Sequence, residues 1–91
     1  MTKLKGTSIS YGGPSHVALR YACMKRSKGF TVDDITQVFP QKFTKPSRAV
    51  DSLNTLRKQG FVYERNGTWK VTHLGATFLR TIVKPYVGEF K

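Results

Sequence analysis

One cysteine, five acidic residues and no long apolar run set the first limits on this 91-residue chain. Cys23 alone excludes an internal disulfide framework and any zinc site built on paired cysteines. No apolar stretch approaches the ~20 residues of a membrane span, and residues 1–13 have no apolar centre of a signal peptide. An intracellular domain with no membrane partner is expected. Gly12-Gly13 lacks the Gly-Lys-Ser/Thr of a phosphate loop. His16 and His73 are far apart, with no carboxylate or cysteine at metal-ligand spacing. No nucleophile has an evident base and orienting partner. The expectation is therefore no metal, no cofactor and no enzymatic activity.

The shortage of carboxylates is the informative one. Sixteen Lys and Arg against five Asp and Glu leave a net charge of +11. The excess is uneven. Residues 1–32 carry Lys3, Lys5, Arg20, Lys25, Arg26 and Lys28 with no acid. Residues 33–64 set five bases against Asp33, Asp34, Asp51 and Glu64, and residues 65–88 carry Arg65, Lys70, Arg80 and Lys84 with no acid. Self-repulsion of this size strains a compact chain, and a polyanion relieves it. Nucleic acid fits better than an anionic membrane surface; a generally basic protein is the bland alternative. A hydrophobic share of 38% supports one core, which at this length buries only ~60–65% of the unfolded surface.

Along the chain, residues 1–13 read as a polar arm that Leu4, Ile9 or Tyr11 could tack down. Pro14 suits the first turn of a helix. Val17, Ala18, Tyr21, Ala22 and Met24 then recur at helical spacing, and the helix should end near Lys28-Gly29, with Cys23 as a small packing residue. Phe30-Thr31-Val32-Asp33-Asp34-Ile35 starts a second helix: Thr31 caps, the two aspartates occupy the positive first turn, and Phe30 staples onto Ile35. Phe39-Pro40 stops it. A third helix starts at Thr44-Lys45-Pro46-Ser47, with Ala49, Val50, Leu53 and Leu56 on one face and Gly60 as its C-terminal cap. Its other face shows Thr44, Ser47, Arg48, Asp51, Thr55 and Lys58.

Asn66-Gly67 between two β-rich runs demands a hairpin with a type I′ turn, pairing Arg65 with Thr68 and Val62 with Val71. Thr72 caps a last helix carrying Leu74, Phe78, Leu79 and Ile82, stopped by Lys84-Pro85. Gly75 inside it costs ~1 kcal/mol relative to Ala, which points to a second backbone packed close by.

Helix, short helix, helix, hairpin, helix over residues 14–84 resembles a winged helix-turn-helix domain. Three stretches carry the likeness: Phe30-Thr31-Val32-Asp33-Asp34-Ile35, Leu53 with Leu56-Arg57-Lys58-Gln59-Gly60-Phe61-Val62, and Trp69-Lys70-Val71-Thr72-His73-Leu74-Gly75. The last two look much like small prokaryotic or viral regulators of that superfamily. The expected architecture is α+β: a three-helix core, a two-stranded wing and a C-terminal helix. An arm (1–13) and a tail (86–91) flank the domain (14–85). The resemblance implies a third helix in the DNA major groove and a wing on the backbone or minor groove.

Residue chemistry agrees. Arg48 can reach guanine O6 and N7. Thr44, Ser47 and Thr55 can bond phosphates or base edges, and Lys42 and Lys45 suit the backbone. Arg65, Asn66 and Lys70 bring positive charge to the wing. Asp51 is the misfit: it either accepts a hydrogen bond from cytosine N4 or pairs with Arg48 one turn away, and the pairing is the expected answer. The reading is a cytoplasmic or nucleoid-associated regulator or architectural protein, with the C-terminal helix as the place where two copies could pair. Two alternatives stand beside it: a module for RNA or single strands using Tyr63 and Trp69, and a protein-docking module. For Tyr63 and Trp69, packing of the wing against the core is the simpler expectation.

Overall fold

The computed structural model of the chain describes residue 9 and residues 12–86, with side chains through residue 80. Its elements are α1 (Pro14–Met24), α2 (Val32–Val38), α3 (Pro46–Lys58), β1 (Val62–Arg65), β2 (Thr68–Val71) and α4 (His73–Tyr86). Three helices, an antiparallel hairpin and a C-terminal helix form an α+β domain of winged-helix-like topology. No helix among the described residues is long and apolar enough to cross a membrane. Leu4, Tyr11 and the tail beyond Tyr86 lie outside the described residues.

Local chemistry sets most boundaries. Pro14 occupies the first turn of α1. At α2, the Thr31 hydroxyl accepts from the Asp34 N–H (3.2 Å) and the Asp34 carboxylate accepts from the Thr31 N–H (3.0 Å). This reciprocal capping box satisfies two N–H groups that helix geometry leaves unpaired. α3 begins with Pro46 and no side-chain cap. It ends where Gly60 turns to φ +80. The Gly60 N–H then reaches the Arg57 carbonyl and the Phe61 N–H reaches that of Leu56, a Schellman closure.

In the hairpin, Val62 faces Val71 and Arg65 faces Thr68, the register that the two-residue turn demands. Asn66 (φ 53) and Gly67 (φ 81) supply its two left-handed residues.

Two helix ends differ from the sequence reading. α1 stops at Met24, because Lys25 leaves helical geometry and residues 25–28 form a turn. The turn delivers Gly29, at φ +74, against β2: a Cβ there would lie 2.7 Å from Thr68 Cγ2 and 2.8 Å from the Trp69 carbonyl oxygen. Phe30 then exchanges two backbone hydrogen bonds with Trp69 (3.0 and 2.7 Å). This single bridge lines the free edge of β2 and was not legible in sequence. Met24 is consequently 73% exposed, and Leu19 is in the core instead. α4, in turn, continues through Lys84-Pro85 to Tyr86. Pro85 removes one backbone N–H from that last turn, so the helix ends one residue later.

The core gathers side chains from every element: Ile9, Leu19, Ile35, Phe43, Leu53, Leu56 and Val62 are among the most deeply buried. Ile9 tethers the segment before α1 to that core. Tyr21 sets its ring edge-to-face with both Phe30 and Phe39, and Phe61 stacks on Phe78 at 4.5 Å. Cys23 is a free, half-buried thiol whose pKa burial pushes up, against the opposing charges of Arg26 and Arg80.

The close approach inferred at Gly75 is present. A Cβ on it would overlap the Phe61 backbone carbonyl. Replacing Gly75 by Ala should therefore destabilise the protein by about 1–3 kcal/mol, despite alanine's better helix propensity. Urea unfolding of the two proteins measures the difference; a more stable Gly75→Ala variant would refute the contact.

His16, in the first turn of α1, is fully buried. Its Nδ1 accepts the Gly12 N–H at 2.9 Å. Burial first, and the Arg20 charge second, lower its pKa from 6.5 to about 4. The imidazole is neutral in the fold, whereas the unfolded chain takes up a proton as pH falls through 6.5. The contribution is fully present above pH 6.5, declines as pH falls toward 4 and levels off below. The expected loss is about 3 kcal/mol, at 1.36 kcal/mol per pKa unit. Denaturant unfolding across this range, with an NMR titration of the His16 ring, checks both the slope and its origin.

Candidate nucleic-acid interface

The orientation of α3 follows from its apolar face. Ala49, Leu53 and Leu56 are wholly buried, and Ser52 nearly so. Thr44, Lys45, Ser47, Arg48, Asp51 and Lys58 are exposed. Thr55 is half-buried and its hydroxyl donates to the Asp51 carbonyl at 3.0 Å. That bond uses the hydroxyl proton and leaves the oxygen able to accept. One helix surface and its leading loop thus combine the residues singled out in sequence, presented by a helix that cannot roll without unpacking three buried side chains.

Lys42 is exposed in the loop before α3, and its Nζ donates to the Gly12 carbonyl at 3.1 Å. It therefore braces the start of α1 as well as adding charge beside α3.

The expected Arg48–Asp51 pair does not form: among the described residues no ion pair joins the two. The reason is geometric and energetic. Helical side chains lean toward the N-terminus, which carries the long Arg48 away from the short Asp51. Both are exposed, where such a pair contributes little. The pairing expected from spacing is thereby corrected, and Asp51 stands as an unpaired acceptor on this face.

The wing brings Arg65 and Asn66 to an exposed tip. Glu64 stiffens that tip, because its carboxylate accepts the Gly67 N–H at 2.6 Å. Trp69 is buried, with only 6% of its surface exposed, and is a packing residue. The Arg57 guanidinium lies 5.8 Å from the centre of its ring, so a cation on α3 covers the sheet's aromatic. Strand alternation sends Tyr63 and Lys70, a cross-strand pair, to the face away from Trp69.

Sequence reasoning missed two cations. Arg57 touches the wing from α3. Lys28, in the turn after α1, joins Tyr63, Arg65, Asn66, Thr68 and Lys70 around an open cleft of about 360 Å³. Its membership depends on the Phe30–Trp69 bridge, a pairing across 39 positions with no local signal. The third-helix residues and the wing residues form two separate groups, joined by Arg57 and by the chain through Gly60 and Phe61.

Comparison with protein-family models, with curated proteins and with solved structures returns no match.

Proposed function

We propose that this protein binds double-stranded DNA as a small transcriptional regulator or DNA-architectural factor, with α3 in the major groove. The observation that carries the reading is the face of α3. Short hydrogen-bonding side chains and cations stand on a helix locked into the core along its other side. A solvated helix has no need to collect Thr44 and Lys45 in its leading loop and Ser47 and Arg48 in its first turn.

In this reading Arg48 makes the bidentate contact with guanine O6 and N7. Asp51, unpaired with Arg48, accepts a hydrogen bond from cytosine N4. Thr44 and Ser47 bond phosphates or base edges, Thr55 accepts from a base edge, and Lys42 and Lys45 neutralise the backbone. The wing residues Arg65, Asn66 and Lys70 hold a neighbouring stretch of backbone or the minor groove. Two copies joined through α4 would read a palindromic site. No metal or cofactor enters this mechanism.

A second reading, binding of RNA or single strands, rests on one observation: Tyr63 is 44% exposed. Trp69 cannot contribute there, since its ring is buried in the core.

Fluorescence anisotropy of labelled duplex, single-stranded DNA and RNA across a salt series tests the proposal. Duplex should bind tightest, and if about six phosphates are neutralised the log–log salt slope should be roughly −5. Failure to bind duplex at low salt would overturn the reading. On a selected site, Arg48→Ala should lose ~1–3 kcal/mol and relax the preference at one position; Lys70→Ala should weaken all sequences alike and flatten the slope by about 1. Equal losses on every sequence for Arg48→Ala would remove its role as a base reader.

A further inference from the structure

The outer face of the hairpin sets Tyr63 and Lys28, which the duplex reading does not use, beside Arg65, Asn66 and Lys70, which it does. Tyr63, Arg65, Thr68 and Lys70 project from this face, because Val62, Trp69 and Val71 take the alternate positions toward the core. The turn after α1 adds Lys28 from a second part of the chain, brought there by Gly29 packing on Thr68, Trp69 and Lys70. The result is an open cleft of about 360 Å³ lined by Lys28, Tyr63, Arg65, Asn66, Thr68 and Lys70. Three cations line it and no carboxylate does.

The composition defines a ligand. An exposed aromatic ring offers a flat apolar surface; cations around it ask for negative charge; Asn66 and Thr68 supply hydrogen-bonding groups at the rim. A stacked base with flanking phosphates answers all three. A paired base cannot, because both of its faces are covered by its neighbours in the duplex. Aromatic platforms inside cationic grooves hold single strands in this way without reading their sequence. The size lies within the usual range for small-ligand sites, roughly 300–1,000 Å³.

We propose that this cleft binds one unpaired nucleotide of a DNA strand, with its base stacked on Tyr63 and its phosphates among Lys28, Arg65 and Lys70. The inference rests on the reading of the protein as a nucleic-acid binder and extends it: the preferred target is duplex that adjoins an unpaired segment. α3 holds the paired part, and the cleft holds the strand where pairing ends.

The test compares a blunt duplex with the same duplex carrying a three-nucleotide thymine overhang, by anisotropy at one salt concentration. A 2-aminopurine placed in the overhang reports stacking through loss of its fluorescence. The overhang should raise affinity about tenfold and quench the 2-aminopurine. Tyr63→Leu should abolish both the gain and the quenching while leaving the blunt-duplex affinity in place, and Tyr63→Phe should retain both. Lys28→Gln, an exposed change in a turn, should reduce the gain with less effect on quenching.

Arg48→Ala should lower blunt and overhang affinities by the same factor. An overhang that adds nothing, or a gain and quenching that survive Tyr63→Leu, would overturn the proposal. A protein that ignores blunt duplex but binds the overhang strand through Tyr63 would sink the duplex reading and leave the cleft standing. Binding of free thymidine monophosphate as tight as that of the overhang would instead make the cleft a site for a free nucleotide and defeat the strand proposal.

Discussion

The backbone carbonyl of Phe61 is the point on which the arrangement of helix, wing and C-terminal helix depends. It accepts the Thr72 N–H at 2.9 Å and lies against the bare Cα of Gly75. One residue earlier, the Gly60 carbonyl accepts the Thr72 hydroxyl at 2.6 Å, and the same hydroxyl oxygen accepts the Gly75 N–H at 3.0 Å. Thr72 thus caps α4 and clamps the end of α3 with one side chain. Phe61 completes the junction by stacking on Phe78. Because the hairpin lies between Phe61 and Thr72, closing this ring of bonds fixes how the wing leaves the third helix.

A second tie acts from the other side. The Phe30–Trp69 bridge joins the turn after α1 to β2, and Arg57 covers the Trp69 ring from α3. The wing is therefore held at its base by three parts of the chain, while its tip is shaped by the Asn66-Gly67 turn and by Glu64. In the proposed duplex binding, such a base would keep the wing at a set distance from Arg48, and the short polar tip would meet a groove without carrying core residues into solvent.

Two of the five carboxylates have structural duties. Asp34 belongs to the capping box of α2 and Glu64 to the hairpin turn. Asp51 alone stands on the α3 face. The Arg48–Asp51 case shows why spacing was an incomplete guide: residues three apart are neighbours on a helix, yet side-chain lean and solvent decide whether they meet. Likewise the exposed Met24 matched the apolar period of α1, but the helix ends there and the chain turns toward β2.

Sequence alone determined what rests on neighbours within a few positions. The Asn-Gly turn set the hairpin register, since only positive-φ residues fit it; Thr31 with Asp34, Pro14, Pro46 and Gly60 marked helix ends through unpaired backbone groups. It also exposed Gly75 as a place of close approach, because a helix keeps such a residue at a cost in stability. The third-helix face was readable from its period. Tertiary structure decided what required distant segments to meet: the Phe30 bridge, the early end of α1, the burial of His16 and Ile9, the covering of Trp69 by Arg57, and the entry of Lys28 into the wing's cleft. The physical reason is common to all of these. Each depends on which backbone edge or apolar surface is left open once local elements have formed, and only the packed core determines that.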